Sequence, residues 1–188
     1  MTAFANDRSD HWIFETERLK IRRYTCEDLD ELIEMRTDPD VYRYLGGPER
    51  QNAAEIAKRF DFYLDCYEKL GFGMSAMIWK ETGETIGGCG LQPLEDSGEI
   101  EVGYSLEKRF WRMGIGYECA YAWLKYGFEN AGLERIVAVA DADNIGSWRI
   151  MEKCSMTFEK YETHYNMECK FYALSKEEFR NAGGGYAS

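Results

Sequence analysis

The chain has 188 residues, 45% of them hydrophobic and 30% charged, the composition of one globular domain long enough to bury a sizeable core. Its 34 acidic against 23 basic side chains give a net charge of −11, which repels nucleic acid and anionic lipid and tolerates cationic partners. No apolar run reaches the roughly 18 residues of a bilayer crossing, and the opening MTAFANDRSDHWIF lacks the basic-then-apolar order of a signal peptide. A cytosolic protein that engages neither membrane nor nucleic acid, monomeric or homodimeric, is expected. None of the six cysteines lies in a C-x-x-C pair, and the two histidines, His11 and His164, are far apart, so no metal site is expected and the thiols read as small apolar residues.

In chain order, residues 1–12 are polar and read as a flexible start, with the folded domain over 13–180. Arg18-Leu-Lys-Ile-Arg-Arg-Tyr24 alternates apolar with charged residues, a strand signal. Thr25-Cys-Glu-Asp28 then opens a helix, with Thr25 as cap and Leu29, Leu32, Ile33 and Met35 following, and Asp38-Pro39-Asp40 breaks it. Gly46-Gly47-Pro48 reads as a loop. Ile56, Phe60, Tyr63, Leu64 and Tyr67 share one face of a helix over 51–69, which Gly71-Phe-Gly73 ends. Strands are expected at Met74–Trp79, at Thr85–Leu91 with its three glycines, and at Glu99–Leu106, joined by turns at 81–84 and 96–98. A helix over 115–131 closed by Gly132 comes next, with Ala120, Leu124 and Phe128 inward. A strand at Arg135–Ala140, a helix at Asn144–Cys154 with Ile150 inward, and strands at Thr157–Thr163 and Glu168–Leu174 complete the domain. Residues 181–188 read as a flexible Gly-rich tail. The order β-α-α-β-β-β-α-β-α-β-β describes a single α/β (α+β) domain. Its consecutive turn-linked strands should be antiparallel, and the β-α-β unit over 99–140 parallel.

The most informative segment is Val102-Gly-Tyr-Ser-Leu-Glu-Lys-Arg-Phe-Trp-Arg-Met-Gly-Ile-Gly-Tyr117. A strand runs through a short loop into a helix opened by Gly114 and Gly116. Amides at a helix start lack internal partners and sit at the positive end of its dipole. Glycines there let a phosphate approach closely, and Arg109 and Arg112 would add positive charge. A diphosphate is the natural ligand. The segment is not the dinucleotide fingerprint, because Cys119 stands at the third glycine's place, and it lacks the Gly-Lys-Ser/Thr of a P-loop. Glycines that merely fit a tight turn would give the same pattern.

The surrounding chain resembles the GNAT acetyltransferases, and within them the RimJ/RimL-like branch, from Phe14 to Phe179. The matching pieces are Glu15-Thr-Glu-Arg-Leu-Lys-Ile-Arg22, Glu101-Val-Gly-Tyr104, Phe110-Trp-Arg-Met-Gly-Ile-Gly116, Asn144-Ile-Gly-Ser147 with Met151-Glu-Lys-Cys-Ser-Met156 and Phe158, and Phe171-Tyr-Ala-Leu174 with Lys176-Glu-Glu-Phe179. Two positions depart from the branch: Arg112 and Ser155 each stand where members usually carry glycine.

The resemblance implies a mixed, mostly antiparallel sheet flanked by helices, with two central parallel strands splayed apart. It also implies direct attack of a primary amine, on a small molecule or a protein N-terminus, on the thioester of acetyl-CoA. A domain that binds or senses CoA without catalysis is the alternative, as is an interaction subunit that has kept the fold. Tyr104, Ser105 and Leu106 would offer main-chain groups to the pantetheine arm. Arg109, Trp111 and Arg112 would flank the diphosphate, held by the amides of Met113, Gly114, Ile115, Gly116 and Tyr117. Asn144 would bind pantetheine or serve only as a helix cap. Ser147 would stabilise the leaving thiolate. Glu101 is the candidate general base, with Glu99 or water as its rivals. No histidine stands near Cys119 or Cys154 in sequence to activate a thiol. The pocket walls would come from residues 27–36, 51–69 and 163–168, where Tyr42, Tyr44, Phe60, Tyr63 and Tyr67 form either an aromatic wall for a cationic amine or plain core.

Overall fold

The computed structural model describes residues 11–95 and 97–183. Its strands are β1 (Trp12–Glu15), β2 (Leu19–Arg23), β3 (Met74–Trp79), β4 (Thr85–Pro93), β5 (Ile100–Leu106), β6 (Arg135–Asp141), β7 (Thr157–His164) and β8 (Met167–Ser175). The helices are α1 (Leu29–Thr37), α2 (Pro39–Tyr42), α3 (Gly47–Arg50), α4 (Ala53–Leu70), α5 (Ile115–Glu129), α6 (Ile145–Lys153) and α7 (Lys176–Asn181). The strands form one sheet in the order β1-β2-β3-β4-β5-β6-β8-β7. Every neighbouring pair is antiparallel except β5 and β6, which are parallel.

The sheet separates two cores by the two-residue alternation of its strands. Met74, Ala76 and Ile78 of β3 face α1 and α4, packing with Leu32, Ile56, Phe60 and Tyr63. Met77 and β2's Leu19 and Ile21 join the opposite core beneath α5, with Trp123, Leu124 and Phe128. These three α5 side chains are at most 2% exposed, and each such burial contributes roughly 1.5–3 kcal/mol. Arg22, one of β2's alternating charges, is buried instead of solvated. It donates two hydrogen bonds to Asp28, at 2.7 and 2.6 Å, and Asp28 also accepts from the Thr25 amide at 2.7 Å. This network ties the end of β2 to the start of α1.

Several elements escape a local reading. Trp12 begins β1, so the chain is ordered from a position expected to be loose; residues 1–10 of that expectation lie outside the described residues. Phe14 of β1 packs edge-on against Trp123, centroids 5.1 Å apart. Gly46-Gly47-Pro48 enters a helical turn, with Gly46 left-handed at φ 89° and Pro48 in the first turn of α3. Lys176–Asn181 is a helix capped by Ser175, whose side chain accepts from the Glu178 amide. Of the expected tail, 184–188 lie outside the described residues, as does Asp96 of the 96–98 turn.

Candidate active site

Strands β5 and β6 are paired at one position, Glu101 with Val137. Beyond it β5 runs on to Leu106 and β6 to Asp141 along diverging paths, and the opening between them is the heart of the site. On its far side β5 stays in register with β4, from Gly87 opposite Leu106 to Pro93 opposite Ile100. Glycine makes that close pairing possible: a Cβ on Gly87 would stand 2.2 Å from the Ser105 carbonyl oxygen.

Two cavities meet at this opening. One, of about 570 Å³, lies against the N-terminus of α5. The other, of about 380 Å³, lies between strands β4 to β6 and residues of α1, α3, α4 and the β7–β8 turn. They share Tyr44, Leu45, Tyr104, Ser105, Asn144 and Ser147 in their walls, so they adjoin there, and we treat the pair as the two ends of one channel.

The first cavity is lined by Trp111, Arg112, Gly114, Ile115, Gly116 and Tyr117. Gly114 caps α5 at φ 79°, and the first main-chain bond of the helix is Glu118 N–H to Gly114 O, at 3.0 Å. The amides of Ile115 and Gly116 precede that bond and have no acceptor within the helix. The two glycines do different work. Gly114 provides the left-handed turn, whereas a Cβ on Gly116 would stand 2.7 Å from Ile150 Cδ1. Gly116 therefore lets α6 lie close to α5, and its packing role accounts for it as well as phosphate access does. Arg18 anchors the loop, donating to the Met113 carbonyl at 2.8 Å and pairing with Glu118 at 2.7 Å.

Arg112 and Ser155, the two departures from glycine, both stand at positive φ, 62° and 64°. The backbone keeps the conformation that glycine favours and carries the side-chain strain instead. Arg109 is not at this cavity. It pairs with Glu84 at 2.9 Å and Glu107 at 2.6 Å and lines a separate cleft. Met113 is exposed and stands outside the cavity lining. The basic side chains that do face the α5 corner, besides Arg112, are Arg149 and Lys153 of α6. Lys153 Nζ lies 4.1 Å from the Tyr117 ring centre. Their helical spacing was a usable sequence signal, since positions four apart share a face.

Where the cavities meet, the Tyr104 hydroxyl donates to the Ser147 carbonyl at 3.0 Å and lies 3.0 Å from Ser147 Oγ. Burial pushes the Tyr104 hydroxyl's pKa up, so it stays protonated. Asn144 does cap α6, accepting from the Ser147 amide at 3.2 Å, while its side chain also lines both cavities. The Leu106 carbonyl accepts from Trp111 Nε1 at 2.9 Å, which occupies one of its two lone pairs. The Ser105 hydroxyl is buried with no partner.

Glu101 is 4% exposed and forms part of the second cavity's wall. Its Oε1 accepts from Gln92 Nε2 at 2.6 Å and from the Tyr165 hydroxyl. Burial pushes its pKa up to about 7, against the opposing pull of these two donors. Glu99, the rival carboxylate, is outside the cavity and pairs with Arg135 at 3.2 Å. Gln92 and Tyr165 had no sequence signature, because they reach Glu101 from a neighbouring strand and from a left-handed turn (Tyr165 φ 56°).

The walls come from the three expected segments, but the aromatic residues divide. Tyr44 and Tyr63 line the cavity, while Phe60 and Tyr67 are core. The faces of Tyr44 and Tyr63 are already covered by Arg43 and Arg36. All six cysteines are unpaired, five of them buried. Burial raises the thiol pKa of Cys119 and pushes that of Cys154 up to about 12, which suits packing and not nucleophilic attack. Both ring nitrogens of His164 face carboxylates, Glu95 at 2.9 Å and Glu162 at 2.8 Å. Among the described residues, no cluster of three or more His, Cys, Asp or Glu side chains could hold a metal, and no helix is long and apolar enough to cross a membrane.

This arrangement has counterparts. Residues 18–157 match the acetyltransferase (GNAT) domain family. The uncharacterized N-acetyltransferase p20 of Bacillus licheniformis is 30% identical over 146 residues, 77% of this chain and 81% of its own. An acetyltransferase from Agrobacterium tumefaciens superposes with a TM-score of 0.76 at 25% identity, covering 86% of this chain and 92% of its own. RimL, a ribosomal L7/L12 alpha-N-protein acetyltransferase solved in complex with coenzyme A, has the same fold, with a TM-score of 0.72 at 17% identity over 87% of this chain and 97% of its own. The protein is an acyltransferase enzyme. More particularly, it belongs to the GNAT acetyltransferases and is an N-acetyltransferase.

Proposed function

We propose that the enzyme transfers the acetyl group of acetyl-CoA directly to a primary amine, and that it stands within the RimJ/RimL-like branch. The carrying observation is the pair of adjoining cavities: a helix start suited to a diphosphate in one and a buried carboxylate with a pKa near 7 in the other. The Ile115 and Gly116 amides, with Arg112, Arg149 and Lys153 nearby, suit the diphosphate. The unpaired edge of β5 at Tyr104 and Ser105, with Asn144 across the gap, suits the pantetheine arm. The thioester then falls where the two cavities meet.

The neutral amine attacks the thioester carbonyl. The C–N bond forms, the C–S bond breaks, and no acyl-enzyme is made. Glu101 takes the amine's proton, directly or through water, because a base with a pKa near 7 is half ionised at neutral pH. The hydrogen-bonded Tyr104–Ser147 pair provides a hydroxyl for the leaving thiolate. Holding both reactants in one channel supplies the entropic part of catalysis.

The test is CoA release from acetyl-CoA across a panel of amines, for the wild type and Glu101→Gln. Amine-dependent release that collapses in the variant, with CoA binding retained, supports the assignment. Release unchanged in the variant removes Glu101 as base. No release with any amine, while CoA still raises the melting temperature, leaves a CoA-binding domain instead.

A further inference from the structure

The amine-side cavity holds three guanidinium groups in a protein of net charge −11. Arg36 comes from the last turn of α1, Arg50 from α3 and Arg59 from α4. Four arginines elsewhere, Arg18, Arg22, Arg109 and Arg135, each pair with a carboxylate. These three do not: among the described residues, none has a carboxylate oxygen within 4.0 Å. Arg36 is only 6% exposed, and its Nε has no hydrogen-bond partner; the Arg59 Nε is also buried without one. What Arg59 does bond is neutral: the Arg50 carbonyl at 3.0 Å and Gln51 Oε1 at 2.7 Å. Burial, together with the like charges of Arg36 and Arg50, pulls the Arg59 pKa down to about 10. The three cations thus crowd one end of the cavity without a direct ion pair, although the Glu55 carboxylate, bonded to Lys58, lies near enough to Arg59 and Arg50 to feel their charge.

The cavity's own acids are engaged elsewhere. Glu95 holds His164 and the Tyr165 amide, Asp141 accepts from the Asp143 amide, and Glu101 is held by Gln92 and Tyr165. A desolvated guanidinium without a counter-charge is costly. Guanidinium groups also match oxyanions through paired N–H donors. The spacing is informative as well. Arg50 lies over the Tyr165 ring, 4.5 Å from its centre, and the hydroxyl of that ring is on Glu101. The anion-seeking groups therefore begin one aromatic ring away from the proposed base.

We propose that the acceptor is a small amino acid-like molecule whose carboxylate is bound by Arg36, Arg50 and Arg59 while its amine faces Glu101. This rests on the acetyl-transfer reading and names the substrate class of that site. It displaces the expectation that aromatic faces in this wall receive a bare cation, since the protein's own arginines already cover Tyr44 and Tyr63.

The experiment measures kcat/KM from CoA release for sets of three acceptors: a free amino acid, its carboxamide and its decarboxylated amine. The free acid should be favoured at least about tenfold over both others, the size of one charge-assisted contact. Arg36→Gln should erase most of that preference, and Arg36→Lys should restore part of it. Arg50→Gln, at a half-buried position, provides a second test should the Arg36 variants misfold, with the CoA-induced thermal shift reporting folding. Amides and decarboxylated amines turned over as well as acids, or a preference that survives both Gln substitutions, overturns this proposal and leaves acetyl transfer standing. No turnover of any amine by protein that binds CoA overturns both.

Discussion

The two ends of the channel are built differently. The end at α5 is made mainly of backbone: a left-handed Gly114, the amides of the first helical turn and the unpaired edge of β5. The other end is made of side chains, Arg36, Arg59, Gln92, Glu101 and Tyr165, that arrive from α1, α4, β4, β5 and the β7–β8 turn. A main-chain site tolerates many side chains as long as the chain bends correctly. Even Arg112 and Ser155 hold left-handed geometry at 62° and 64°. A side-chain site is defined by the particular residues that converge.

That contrast predicts where substitutions act. The largest expected effect is at the side-chain end. Glu101→Gln should lower kcat/KM by about 10²–10³-fold, within the range for loss of a general base, while the CoA-induced thermal shift is retained. A decrease below tenfold would assign proton removal to water.

The pH profile sharpens this prediction. With the Glu101 pKa at about 7, kcat/KM corrected for the neutral fraction of the amine should fall about tenfold per unit below pH 7 and level off above it. The variant should lack that limb. Stability carries the opposite sign. Because the folded pKa lies above the ordinary 4.5, the contribution of Glu101 is fully present below pH 4.5 and is lost as pH rises through 7. Between pH 5 and pH 8, Glu101→Gln should therefore gain on the wild type by up to about 3 kcal/mol in urea titrations.

At the junction of the two ends, Ser147→Ala removes one hydroxyl beside Tyr104. We expect about a tenfold loss of kcat with little change in the KM for acetyl-CoA, because that hydroxyl is proposed to act on the leaving thiolate. A larger change in KM than in kcat would make Ser147 a binding residue only.

The smallest effects belong to the backbone end. Ser155→Gly relieves left-handed strain at an exposed position outside the channel and should stabilise the protein by about 1 kcal/mol, or about 2–4 °C in Tm. Arg112→Gly should give a similar gain but raise the KM for acetyl-CoA a few-fold, because it also removes a cation from the cavity. Equal kinetics in the two variants would show that Arg112 contributes nothing to binding.

The same contrast decides what could be read from the sequence. Strand alternation, the capped start of α1, the Gly71 stop and the Gly114 turn are local, and they account for most elements and for the start of α5 at Ile115. Glu101 is legible as a candidate because its strand has a recognisable pattern, and the structure places it in the cavity wall. β1 was missed because four residues cannot declare a strand without the β2 edge they pair with. Arg109 was assigned to the wrong side because loop direction depends on its partners, Glu84 and Glu107. The arginine cluster and Tyr165 assemble from four separate segments, and no spacing along the chain announces that meeting.

The most direct test of the account is a crystal structure of the enzyme with CoA. The diphosphate should lie within hydrogen-bonding distance of the Ile115 and Gly116 amides, with the thiol beside Ser147 at the junction with the Glu101 cavity. A diphosphate bound elsewhere, or a thiol pointing away from Glu101, would contradict the channel as the path of acetyl transfer.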